Sequence, residues 1–180
     1  MCLMERHEIP ASEIVFPPFA RWEPGWLLLT AGENRPAGYN SMTVSWGGLG
    51  VIWGRPLAIV VVRPQRYTFE FMERSASFSL CAFAESYRPV LTLLGTKSGR
   101  DSAKMQECGL TPLALTKIVS PGFAEAELIL ECRKTYFDDL KPEHFLADYI
   151  APNYCGDYHR MYFGEVVAAQ GTAAYRIKKT

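Results

Sequence analysis

Six short runs of branched and aromatic residues, with no strand–helix alternation between them, most narrow what this chain can become. Residues 26–30 (WLLLT) read as a strand ended by Ala31 and Gly32. Residues 41–46 (SMTVSW) set Met42, Val44 and Trp46 against Ser41, Thr43 and Ser45, and three glycines follow closely. That alternation is the mark of a strand with one wet face. Residues 57–62 form an unbroken apolar run, which predicts a strand covered on both faces. Residues 77–83, 125–137 and 160–169 complete the set, the last with Gly164 inside it as an expected bulge or close approach. Four short helices are expected between them, over 66–76, 87–94, 101–108 and 143–150. Ser98 or Asp101 would cap the third and Gly109 would end it.

Strands that outnumber long helices suggest a mainly β fold, an antiparallel barrel with helices inserted at its edges. A doubly wound sheet is disfavoured, because no strand is followed by GxGxxG. Residues 1–180 carry no repeat, linker or low-complexity segment, so one domain is expected. Apolar residues make up 48% of the chain, enough for a substantial core.

Nineteen basic residues balance nineteen acidic ones. Nothing global draws the chain to nucleic acid or to an anionic membrane. The cysteines, Cys2, Cys81, Cys108, Cys132 and Cys155, are odd in number and contain no CxxC pair. That argues against a disulfide framework and against a metal site, and for a reducing, cytoplasmic setting. Cys81 and Cys132 fall in strand patterns and read as buried small hydrophobes, while a redox role for Cys155 lacks a resolving partner. The first ten residues lack the apolar stretch of a signal peptide. Frayed ends are expected around His7 and over the final AYRIKKT.

Three polar segments stand out. Asn40-Ser41 opens the first alternating strand, RPQRY (63–67) separates a buried strand from a helix, and LLGTKSGRD (93–101) follows an apolar run. Hydroxyls, backbone N–H groups and cations of this kind suit a phosphate. The spacing is not that of a P-loop, and taken alone the third segment also reads as a solvated turn, RPQRY as a strand-to-helix corner and the first as an amphipathic strand with a glycine-rich turn. The edge of strand 41–46, with Met42 and Trp46, would suit a flat heteroaromatic ring.

Taken together, NSMTVSWGGLGVIWGRP (40–56), VVVRPQRYTFEFME (60–73), LLGTKSGRD and GDYHRMYFGEV (156–166) resemble the flavin reductase-like, FMN-binding split-barrel family, notably its flavoredoxin-like branch. The resemblance covers roughly residues 20–170 and implies a six-stranded antiparallel Greek-key split β-barrel, a homodimer with flavin near the interface. It implies that Ser41, Met42, Thr43 and Ser45 line the ring and ribityl chain, flanked by Asn40 and Trp46. It places Arg63 and Tyr67 at the phosphate, joined by Thr96, Lys97, Ser98 and Arg100 from the third segment. His159, spaced from Gly164-Glu165-Val166 as in family reductases, would orient a nicotinamide carboxamide or shuttle a proton. The implied activity is hydride transfer from NAD(P)H to FMN, or to FAD, with reduced flavin or electrons passed to an oxygenase or another acceptor. Two other readings stay open: an FMN-binding electron carrier that does not oxidise NAD(P)H, and a non-catalytic split-barrel binding protein.

Overall fold

The computed structural model describes residues 4–178. Its strands are β1 (His7–Glu8), β2 (Leu27–Gly32), β3 (Tyr39–Val44), β4 (Gly47–Ile52), β5 (Arg55–Val62), β6 (Ser77–Ala82), β7 (Pro112–Leu113), β8 (Gly122–Phe123), β9 (Leu128–Asp139) and β10 (Arg160–Gly171). Its α-helices are α1 (Pro18–Trp22), α2 (Tyr67–Arg74), α3 (Arg88–Thr96) and α4 (Lys104–Glu107). The main sheet is antiparallel in the order β3-β2-β6-β9-β10-β5-β4, with β1 on β10, and β7–β8 form a separate ribbon.

Closure follows from one short connection. β3 and β4 lie at opposite ends of the sheet order, yet only Ser45 and Trp46 join them. Three Cα–Cα steps reach at most about 11 Å. The sheet must therefore curl until its two ends nearly meet. Among the described residues they do not hydrogen-bond as a strand pair, so the barrel stays split along a seam.

Side-chain parity builds two cores. Leu27, Leu29 and Ala31 of β2, Leu80 of β6 and Leu128 and Leu130 of β9 point into the barrel with Ala58, Val60, Val62 and Tyr162. Their neighbours Leu28, Cys81 and Ile129 point outward into a second cluster, under Leu91 and Leu94 of α3 and Phe123 of β8. A period of two explains how adjacent residues serve different cores.

Several expectations need correction. The glycines after Trp46 are not only a turn; they open β4, whose hairpin to β5 turns at Trp53 and Gly54, both at positive φ (54° and 68°). β5 is covered fully on its inner face, at Ala58, Val60 and Val62, and only in part on its outer face, where Leu57 is buried but Ile59 and Val61 stay half-buried. Residues 143–150 form no α-helix, only a 3-10 turn at Pro142–His144. Leu93–Thr96 belong to the last turn of α3, and α4 keeps just Lys104–Glu107, with no side-chain cap from Ser98 or Asp101. His7 is paired with Gly171, and Tyr175 in the tail is buried. Cys2, Lys179 and Thr180 lie outside the described residues.

Gly164 sits at a register shift between β10 and β9. A Cβ there would lie 2.5 Å from the Phe78 ring and 2.9 Å from Cys132 Cβ. Gly164→Ala should lower stability by about 1–3 kcal/mol, read by urea unfolding. Gly50→Ala, where a Cβ meets nothing within 4 Å, should be neutral or gain up to about 1 kcal/mol.

Candidate functional site

The seam carries a groove. On one side a cavity of about 240 Å³ is lined by Met42 to Trp46 with Val61, Arg63 and His159. On the other, about 290 Å³ is lined by Glu23, Trp26, Thr43, Ser45, Thr92, Gly95 and Thr96. Thr43 and Ser45 belong to both, which makes them the rim between the two halves. Their hydroxyls make no hydrogen bond to other described residues. The outer edge of β3 has no strand partner among the described residues, so part of its backbone N–H and C=O row is open too. Helix α3 lies against β3 at Gly95, where a Cβ would come within 2.1 Å of Thr43 Oγ1.

His159 closes one end of the groove. It is buried, its ring 5.1 Å from that of Trp46, and its Nδ1 lies 2.9 Å from the Tyr154 hydroxyl. Burial, reinforced by the nearby Arg63 charge, pushes its pKa down to about 4. The ring is therefore neutral at pH 7. Arg63 itself is held: Nη1 donates to Asp157 Oδ2 at 2.7 Å, Nη2 to the Asn153 carbonyl at 2.7 Å, and the guanidinium covers the Tyr154 ring. Asp157 also accepts from the Cys155 amide at 2.9 Å and from Gln65 Nε2 at 2.5 Å. The Cys155 N–H first, then Arg63, hold its carboxyl well below the usual range.

The groove thus gathers Met42, Thr43, Ser45, Trp46, Arg63, Thr96 and His159. Other residues singled out in the sequence lie elsewhere. Ser41 is buried on the outer face of the sheet, where its hydroxyl meets Thr30 Oγ1 of β2 at 2.7 Å. Asn40 donates to Thr68 Oγ1 at 2.7 Å and, with Tyr67, lines a separate cleft. Thr96 spends its hydroxyl on the Thr92 carbonyl. Lys97 pairs with Glu107 at 3.0 Å, and Arg100 pairs with Glu70 at 2.5 Å above the Tyr67 ring. Ser98 Oγ accepts the Arg100 amide. Within one protomer the cations of the 93–101 segment are thus neutralised locally.

Glu23, Trp26 and Thr92 line the groove although nothing in the sequence marked them for a site role, and Tyr154 and Arg66 stand beside it. Tyr154 lies in the long β9–β10 connection, and only folding brings it to His159. Arg66, inside the RPQRY segment, donates to the Gly95 carbonyl at 2.5 Å and has no carboxylate partner among the described residues. Burial and the neighbouring Arg63 lower its pKa.

Fold and groove together define a split barrel with an open slot at its seam. The family model described as "Flavin reductase like domain" matches residues 21–175, and the chain belongs to that family. Solved structures agree on the fold. An FMN-binding domain of flavin reductases-like enzyme from Shewanella baltica has a TM-score of 0.68 at 20% identity, covering 95% of this chain and 79% of that one. The flavoredoxin of Desulfovibrio vulgaris gives 0.65 at 17%, covering 89% and 73%. The NADH:FAD oxidoreductase of Streptomyces globisporus gives 0.63 at 16%, covering 84% and 78%. No curated protein matches the chain.

The lowered His159 pKa has a signed consequence. Between the usual value of 6.5 and about 4, the unfolded chain takes up a proton that the native ring refuses. Stability should fall as pH drops through that window. His159→Gln should flatten this part of the profile, compared by urea unfolding at pH 7, 5.5 and 4.5.

Proposed function

We propose that this chain is an FMN-binding oxidoreductase whose seam groove seats the flavin ring and admits NAD(P)H as hydride donor. The carrying observation is the pair of unspent hydroxyls, Thr43 and Ser45, on an open strand edge between Trp46 and Gly95. That donor set fits a flat heteroaromatic with a polar edge. Bound flavin, FMN or alternatively FAD, would supply the hydride and electron chemistry.

The chain's own residues divide the remaining work. Thr43, Ser45 and the β3 backbone bond the ring's polar edge, and Trp46 packs beside it. A phenol is a better donor than acceptor toward a neutral imidazole, so Tyr154 donates to Nδ1 and His159 keeps its hydrogen on Nε2. His159 then acts as a hydrogen-bond donor, suited to a carbonyl oxygen of flavin or carboxamide. A proton shuttle at neutral pH fits its depressed pKa less well. Asp157 fixes Arg63, so a phosphate reaching Arg63 shares it with that carboxylate.

An electron-carrier reading is kept by the likeness to a flavoredoxin. An anaerobic visible spectrum with FMN separates the two. Rapid bleaching by NADH or NADPH supports the reductase. A retained yellow flavin bleached only by dithionite supports the carrier, and failure to bind FMN overturns both. Arg63→Ala should weaken FMN at least about tenfold more than riboflavin by fluorescence titration. Equal losses place the phosphate away from Arg63.

The same reading includes a homodimer and a reducing cytoplasm. Buried Cys81, Cys108 and Cys132 are free thiols, and no described helix is long and apolar enough to cross a membrane. The outer face of β4, β5 and β10 speaks for a second copy. Gly48 and Gly50 leave it flat beside Ile59, Val61 and Phe163, and Trp53 stands 63% exposed at its end. Wild type should sediment at twice the 20.2 kDa chain mass and Gly50→Glu nearer to one chain. A monomeric wild type would remove the dimer from the reading.

A further inference from the structure

The connection between β9 and β10 leaves large apolar side chains uncovered. From Glu143 to Ile150 it forms turns beyond the 3-10 piece at Pro142–His144. Leu146 is 99% exposed and Tyr149 74% exposed. Apolar surface concentrated on one projecting segment marks a place where something docks. The carboxylates of the segment, Glu143 and Asp148, form no ion pair with another described residue. Lys141, at its root, is already matched by Asp138 at 3.1 Å. The tip is therefore apolar and acidic.

A second surface is its counterpart. The end of α2 and the outer half of β9 enclose a saddle of about 530 Å³, which shares no lining residue with the seam groove. Tyr136 and Phe137 line it and are 46% and 53% exposed. Arg74 lines it too, and Arg133 stands just before it on β9; both are exposed, and neither pairs with a carboxylate among the described residues. The one carboxylate of the lining, Glu73, is engaged by Arg160 at 2.7 Å and by the Tyr162 hydroxyl at 2.6 Å. The saddle is thus aromatic and basic.

Tip and saddle complement each other in charge and in apolar surface, yet no hydrogen bond, ion pair or ring contact joins them among the described residues of one chain. They lie at the same end of β9, the saddle reaching Phe137 and the tip starting at Glu143. A two-fold axis near that end brings each tip to the saddle of the other chain, so that one contact is made twice. The saddle is also continuous with the outer sheet face: the Tyr136 ring is 6.3 Å from Trp53 and 5.4 Å from Phe163.

We propose that the 143–150 tip of each chain seats in the saddle of a second copy, with Leu146 and Tyr149 on Tyr136 and Phe137, and Glu143 and Asp148 beside Arg74 and Arg133. The proposal rests on the homodimer of the preceding reading and adds where the two chains hold each other. Each chain then steadies the connection that brings Tyr154 to His159 in the other.

Sedimentation equilibrium of the FMN-loaded full chain tests it. Glu143→Lys with Asp148→Lys should raise the dimer Kd at least about tenfold, and so should Arg74→Glu with Arg133→Glu, because each sets like charges face to face. Mixing the two variants in equal amounts should restore wild-type association, since both seats of the mixed dimer again join opposite charges. That recovery also excludes unfolding as the cause of the loss. Amide exchange over residues 145–150 should slow between dilute monomer and dimer. Unchanged association in both variants, no recovery on mixing, or exchange indifferent to dimerisation overturns the seat and leaves the homodimer standing. A monomeric wild type overturns both.

Discussion

The two-residue tether between β3 and β4 governs the rest of the molecule. It joins the two ends of a seven-strand path and so fixes how tightly the sheet curls. It also leaves the ends unpaired, because Ser45 and Trp46 cross the gap instead of continuing a ladder. The barrel interior is filled by alternate residues of every long strand, so closure is enforced by burial as well as by the tether. The candidate groove is what remains where closure is incomplete. Its hydroxyls, its open backbone edge and its aromatic rim all belong to the residues that make or flank that crossing.

Charge arrangement around the seam follows from burial. His159 is too enclosed to carry a proton at pH 7, and Arg63 is kept nearby by Asp157 without pairing with the imidazole. Tyr154 fixes the ring orientation from the far side, and Phe145 and Tyr158 in turn pack on Tyr154. The long connection after β9 has little regular structure, yet it supplies most of this support. Beside the groove, Lys97 and Arg100 pair with Glu107 and Glu70, whereas Arg66 and Lys104 donate to backbone carbonyls at the end of α3.

Much of the architecture was legible in the sequence because strand parity is written in it. Leu27 to Thr30, Phe78 to Ala82 and the β10 run all became strands, and the mainly β split barrel followed from their number and from the family resemblance. β4 was hidden, because Gly47, Gly48 and Gly50 remove the side chains that carry a strand's alternation. The helix expected over 143–150 failed because Phe145, Leu146, Tyr149 and Ile150 have no core to face; Leu146 is fully out in solvent. The unbroken run of β5 suggested cover on both sides; on the outer side Leu57 has it and Ile59 and Val61 have it only in part, a difference periodicity does not encode. The candidate groove was legible where it follows one continuous stretch, Met42 to Trp46, along β3 and the crossing after it. It was not legible where it depends on side chains finding closer partners, as Ser41 does with Thr30 and Arg100 with Glu70. Tyr154 and Lys104 acquire their surroundings only through folding.

The ends of the sheet also decide how this protein can meet others. An open sheet offers its last strand as a template for a further strand, and proteins must guard that edge. Here the last strands are hemmed in at single points: α3 meets the Thr43 side chain at Gly95 and the start of β4 packs on Trp22 of α1, while part of the β3 edge stays open beside the groove. A further strand added at the β3 edge would also cover the groove. Association through a broad face of the sheet would leave both the groove and the pairing that builds the barrel as they are.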